Sequence, residues 1–292
     1  MTMHHDTARL AFSKRDFWLC MARAFAPPAT GADYLEAFQS ALPDDLETIA
    51  EEIGLHLGAE IADLRRAAAE LGEPMELQRL YAALFLTPPT PVMLNTGFYL
   101  DGGIMGDSEA AMSEAYAAHG FARHQHFRDL NDTPGVQSEF LALLFEKAAE
   151  KARAGDDIEA RAHLAQAEGF LSDYVCRWIT PFLRDLETVS RDHGVNAVYA
   201  HLARLVWLAA EGSVAAPEVA EIKAGMASLP RGSARGIGAL TAQDLAEIAY
   251  RLERDGLSWD HVTQNDGWDD AVFAARRARG ETVEAEAMPE FR

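Results

Sequence analysis

ELQRLYAALFLTPPTPVMLNTGFYLDGGIMG, residues 76–106, begins as one kind of structure and ends as another. Leu77, Leu80, Tyr81, Leu84 and Phe85 recur at three- and four-residue spacing, which predicts a helix with one apolar face. Pro88, Pro89 and Pro91 then stop it, because proline cannot donate to the helical ladder and holds its predecessor extended. Beyond them Val92, Met93, Leu94, Phe98, Tyr99, Leu100, Ile104 and Met105 are apolar, while Asn95, Gly97, Gly102, Gly103 and Gly106 let the backbone turn. A non-helical apolar loop is costly in water. It either packs across the core or lines a groove for an apolar guest, and both readings stay open here.

Working outward, the same helical period fills the chain. Ser13 reads as the N-cap of a helix to Ala26, buried through Phe17, Cys20, Met21, Ala24 and Phe25. A short helix follows over Asp33–Ala41, and Pro43 starts another. Ile61–Leu71 precedes the quoted stretch. After it come Glu109–His119, capped by Asp107 or Ser108, then a long helix from Pro134 to about Ala154, then Ile158–Thr180, which Pro181 must kink or restart. One more buried helix runs through Val198, Leu202, Leu205 and Val206. Strand alternation is absent from the pattern, so the fold class is all-α: a single globular multi-helix bundle over residues 1–212, with a partly helical C-terminal extension over 213–292. In that extension Pro217–Leu229 is weakly helical, Arg231–Gly238 reads as a linker, and Thr241 caps an amphipathic helix.

Composition narrows the function. A net charge of −20, from 46 acidic and 26 basic residues, disfavours nucleic acid and anionic membrane and suits a basic peptide. The same acidity also keeps a protein dissolved. Cys20 and Cys176 are far apart and form no metal or redox motif, so they read as buried free thiols of a reducing compartment. The N-terminus lacks an apolar leader core, and no run reaches the ~18 apolar residues of a membrane span. A cytoplasmic location is expected.

Catalytic motifs are missing: no phosphate loop, nucleophile elbow, HExxH or dinucleotide fingerprint. His119, His124 and His126 in HGFARHQH are the one hint of a metal site. Asp132 sits in the helix-start signal Asn131–Pro134, and Glu139 follows two turns later beside Phe140. Capping and a solvated carboxylate are their default roles. The alternative is a pair facing a groove and receiving guanidinium groups.

These motifs together resemble the TorD/DmsD family of molybdoenzyme-specific chaperones. YAALF at Tyr81–Phe85, the proline-rich turn, GFYLDGGIMG at Gly97–Gly106, and Tyr116 with Gly120 are similar to the family's first signature. Asp132, Glu139 and Phe140 match its second. Thr133 stands where the family has His, Gln137 where it has Glu, and Gly97 where it has Ser. The missing His weakens any claim that relies on it, nucleotide binding included, and whether a nucleotide binds stays open.

The resemblance implies a cytoplasmic chaperone, not an enzyme. Its partner would be the twin-arginine leader or the body of a molybdopterin oxidoreductase catalytic subunit, held back from export until its cofactor is inserted. The chaperone itself would carry no cofactor, and monomer and homodimer both remain open. Tyr81, Phe85, Tyr99, Leu100, Asp101, Asp132, Glu139 and Phe140 are the candidate peptide-binding residues. Alternatives are a metal-binding or enzymatic helical protein using the three histidines, and a scaffold whose apolar loop only packs internally.

Overall fold

Alanine explains where the first helix begins. In the computed structural model, which describes residues 2–88, 90–122, 130–214 and 219–222, α1 spans Thr2–Phe25, not Ser13 onward. Its first half carries no large apolar stripe. Instead Ala8 packs with Ala152 and Ala160, and Ala11 with Ala148 and Ala149, so small side chains let α1 lie close along α8 (Pro134–Arg153). Ser13 is mid-helix: its hydroxyl donates to the Arg9 carbonyl at 3.1 Å and to Glu52 at 2.6 Å.

The second correction concerns prolines. Ala32–Glu36 (α2) and Leu42–Ile53 (α3) are not separate helices but are joined through a π turn at Ala37–Ala41. That turn contains Gln39, whose carbonyl Pro43 would otherwise crowd one turn earlier. Likewise α9 (Asp157–Phe170) passes through a π turn at Leu171–Val175 into α10 (Cys176–His193), and α10 runs on across Pro181. The irregularity therefore lies upstream of Pro181, not at it.

The remaining elements are α4 (Gly58–Ala69), α5 (Pro74–Phe85), α6 (Gly97–Asp101), α7 (Asp107–Ala118) and α11 (Val198–Glu211). No strand occurs among the described residues, and the architecture is an all-α bundle. Helix α8 lies between α1 and α9, α11 packs on α10 and α4, and α6 rests on α10 and α7. The bundle's centre is aromatic. Tyr199 meets Phe85 edge-on at 5.2 Å and Tyr81 at 5.9 Å, while Phe85 stacks on Phe182 at 6.2 Å. Cys176 is buried and Cys20 half-buried.

The chain divides into two compact units, Met1–Pro230 and Arg231–Arg292. All of the second unit lies outside the described residues, including the 231–238 linker and the helix expected after Thr241. So does most of Pro217–Leu229, apart from a helical 219–222.

Candidate functional site

The quoted stretch leaves α5 at Leu86 and folds back, the Val92 amide donating to the Leu84 carbonyl at 3.2 Å. Val92 and Leu94 are buried, so this part of the loop packs across the core. The next part departs from the sequence expectation, since Gly97–Asp101 is a single helical turn, α6. What stays open to solvent lies at the two ends: Leu86 is 57% exposed, Ile104 43% and Met105 38%. Met105 also holds a left-handed φ of 62°, a conformation uncommon for a residue with a side chain.

One enclosed polar cluster sets the position of α6. Asp132 has no exposed surface. Its Oδ1 accepts from Asn95 Nδ2 and its Oδ2 from the Gly97 amide, both at 2.8 Å. The Asp132 carbonyl accepts from the Thr96 amide at 3.0 Å and the Thr96 hydroxyl at 2.7 Å. Gln137 joins from α8: Nε2 donates to Thr96 Oγ1 at 2.6 Å and to the Asp132 carbonyl at 3.1 Å, and Oε1 accepts from Trp178 Nε1 at 2.8 Å. A Cβ on residue 97 would come within 2.9 Å of Asp132 Oδ2, so glycine is what lets the carboxylate approach. Burial pushes the Asp132 carboxyl up, opposed by its bonds from Asn95 and Gly97.

Asp132 therefore does not cap α8. Thr133 does, its hydroxyl accepting from the Val136 amide at 3.4 Å. Asp132 caps α6 instead, and both its oxygens are engaged inside the protein.

A second carboxylate holds α6 from the other side. Tyr99 donates its hydroxyl to Asp185 Oδ2 on α10 at 3.1 Å and accepts from the Met93 amide at 3.2 Å. Its ring meets Phe182 edge-on at 5.9 Å. Burial, then the adjacent Asp185 charge, pushes the Tyr99 hydroxyl well up. Asp101 closes the far end, Oδ2 accepting from the Ser108 amide at 3.0 Å and hydroxyl at 2.5 Å. The cap of α7 is thus Asp101, not Asp107 or Ser108. A Cβ at Gly106 would run into that carboxylate.

The surface beside α6 is acidic. Burial first, then the carboxylates of Asp173, Asp101 and Glu114, push the Tyr174 hydroxyl up, against Arg177. Tyr174 belongs to the π turn of 171–175, a local distortion of a kind that often accompanies function.

The structure sorts the eight candidate residues into layers. Tyr81, Phe85 and Phe140 belong to the core and Asp132 to the enclosed cluster. Tyr99 and Leu100 are half-buried on α6, and Asp101 is exposed at its end. Glu139 is exposed on α8, although the protein around it pushes its carboxyl up by desolvation. Asp132 and Glu139 therefore do not stand side by side in one groove. Asp185, Thr96 and Gln137 are site residues that sequence reasoning misses. The polar triplet Asn95–Gly97 inside an apolar run is the available sign of Thr96.

His119 is half-buried; burial, with Lys147 and His163 nearby, lowers its pKa. His124 and His126 lie outside the described residues. Among the described residues no group of three His, Cys, Asp or Glu side chains could hold a metal. A cleft of about 580 Å3 opens elsewhere, where α10, α11 and the end of α4 meet, but its charges are used internally. Arg204 pairs with Glu187, and Asn196 donates to the Ala67 carbonyl and to Glu70. No described helix is long and apolar enough to cross a membrane.

A family model described as nitrate reductase delta subunit matches residues 37–184, just over half of the 292-residue chain. The match spans α5, α6, the Asp132 cluster and the first part of α10. Neither a curated protein nor a solved structure gives a match.

Proposed function

Because this chain belongs to the nitrate reductase delta subunit family, a family of molybdoenzyme maturation chaperones, we propose that it acts in the cytoplasm on a molybdopterin oxidoreductase catalytic subunit. It binds that subunit's twin-arginine leader, its body, or both, and holds it back until the cofactor is in place. In this reading the TorD/DmsD-like motifs form the recognition surface, and the protein makes and breaks no bond. The observation that carries it is the 86–106 segment. Its apolar side chains Leu86, Ile104 and Met105 are exposed while its middle is pinned by a buried carboxylate.

A twin-arginine leader has a basic start and an apolar middle. The acidic rim of Asp101, Glu114 and Asp173 suits the first, and the exposed apolar ends of the segment suit the second. Tyr99, Leu100, Asp101 and Glu139 are the accessible members of the binding set. Tyr81, Phe85, Asp132 and Phe140 give them their framework. Burying ~300 Å2 of apolar surface contributes about 7 kcal/mol before the cost of ordering the peptide. Micromolar affinity, about −8 kcal/mol, is the expected range once charge pairing is added.

Titration calorimetry tests this with the full chain, a synthetic leader peptide carrying paired arginines before an apolar run, and a molybdoenzyme catalytic subunit. Micromolar heat with the peptide supports the proposal. Binding of the subunit body alone removes the leader from it, and heat from neither partner overturns it.

A further inference from the structure

Asp185 stands out from the other acidic residues of the surface. It is half-buried on α10, and among the described residues it has no ion-pair partner. Arg184, its neighbour in sequence, is exposed and acts on it only through space. Among the described residues, the single donor to its carboxylate is the neutral hydroxyl of Tyr99, at 3.1 Å. A partly desolvated carboxylate satisfied by one phenol is an under-filled acceptor, since a carboxylate takes up to four hydrogen bonds and a planar guanidinium supplies two in parallel.

Tyr99 is also the side chain that leans on Phe182, edge-on at 5.9 Å, with Phe98 a further 5.3 Å along. If Tyr99 swings out, two things are uncovered together: a carboxylate and, one turn before it on α10, an aromatic wall. The Met93 amide that loses the phenol oxygen is on a half-buried loop residue and can be hydrated.

We propose that Asp185 is the arginine-binding residue of the leader site and that Tyr99 is its built-in competitor, a phenol that fills the carboxylate and covers Phe182 until a guanidinium followed by an apolar side chain displaces it. This rests on the leader-binding function proposed above and names the residue and the gate within it. The occupant is an arginine-bearing segment of a partner protein. Lysine is a poorer fit, because its ammonium is a point charge without the parallel pair of donors. The charge of the chain, −20, favours the approach of such a segment.

Three peptides of identical apolar sequence, carrying Arg, Lys or citrulline at the paired positions, are titrated into the full chain and into Asp185→Asn and Tyr99→Phe variants. The Asp185→Asn side chain still accepts from Tyr99, so the fold is kept, and thermal melting checks this. Asp185→Asn is expected to weaken the Arg peptide about tenfold, the loss of one charge-assisted pair, and to reduce the preference for Arg over citrulline by the same factor. Tyr99→Phe is expected to tighten the Arg peptide several-fold, a change of sign that loss of structure would not produce.

An Asp185→Asn variant that keeps the wild-type preference for Arg over citrulline overturns this assignment and leaves leader binding standing. Weaker binding by Tyr99→Phe overturns the gate. Absence of binding by the wild-type chain to every peptide refutes both the assignment and the leader-binding function.

Discussion

Replacing Gln137 by glutamate restores the residue that the family resemblance leads one to expect, and it should damage this protein. Gln137 is 1% exposed. Its Nε2 donates to two oxygens, Thr96 Oγ1 and the Asp132 carbonyl, and the Thr96 hydroxyl already spends its own proton on that carbonyl. In Q137E the donor becomes an acceptor facing acceptors, close to the buried carboxylate of Asp132. Two hydrogen bonds are lost, at about 1 kcal/mol each.

The new carboxyl can regain one bond by staying protonated, so its folded pKa rises above the ~4.3 of an unfolded glutamate. A rise of about 3 corresponds to ~4 kcal/mol. The sign follows directly. The native state then holds a proton that the unfolded state has released, so stability falls as pH climbs through and above the unfolded value, and levels off beyond the folded one. Near pH 4 the variant should lose only about 1 kcal/mol. At pH 7.5 the two contributions add, and the loss should approach ~5 kcal/mol, or roughly 10–20 °C in melting temperature for a unit of this size. Differential scanning calorimetry of both proteins from pH 4 to 8 reads this. A variant that melts within about 1 °C of wild type at pH 7.5, with no trend in pH, would refute the donor role assigned to Gln137.

Tyr199→Phe should raise stability by about 1 kcal/mol, because the Tyr199 hydroxyl is buried among aromatic rings with no hydrogen-bond partner among the described residues; urea unfolding measures it, and a loss of more than ~1 kcal/mol would show an unseen partner. Gly106→Ala should push Asp101 off the Ser108 amide and fray α7 at a cost of about 1 kcal/mol, visible as faster amide exchange over 107–110. Burial, with Arg204 and Arg66 nearby and Asp63 and Glu60 opposing, lowers the pKa of His201. The unfolded state then binds the proton first, so this residue's contribution to stability is present above pH ~6.5 and declines as pH falls through that value. His201→Gln should flatten the slope of melting temperature between pH 7 and 5, and an unchanged slope would assign it to other groups.

Large side chains make most helices legible in the sequence. Leu77 to Phe85 and Phe140 to Phe145 announce buried faces by spacing alone. Helix α1 is half hidden because its early contacts are alanine on alanine, which carry almost no hydrophobicity signal although they allow close approach. Pro43 misleads because a π turn lets a helical run absorb what local rules treat as a stop, and Pro181 because α10 runs on across it.

The site is legible in its outline and not in its wiring. Asp132 lies 35 residues from Gly97, and Asp185 lies 86 residues from Tyr99. No periodic pattern links positions so distant, and an aspartate on a long amphipathic helix looks like any solvated charge. Sequence spacing pairs Asp132 with Glu139, two helical turns on. The fold instead turns the first inward and leaves the second outside.

The wide turn at Leu171–Val175 has a consequence for how the chain tolerates length changes. It holds roughly one residue more than an α turn needs, so the extra residue is absorbed within one turn and the helices on either side keep their phase. Deleting a single position there would leave an ordinary α turn, with Trp178 still on Gln137 and Phe182 and Asp185 still facing Tyr99. The same deletion at Arg177, inside regular α10, would rotate every later side chain by about 100° and carry Phe182 and Asp185 away from α6 together. The apparent irregularity thus acts as a phase adjuster, a place where the chain can lose a residue and keep the face that meets Tyr99.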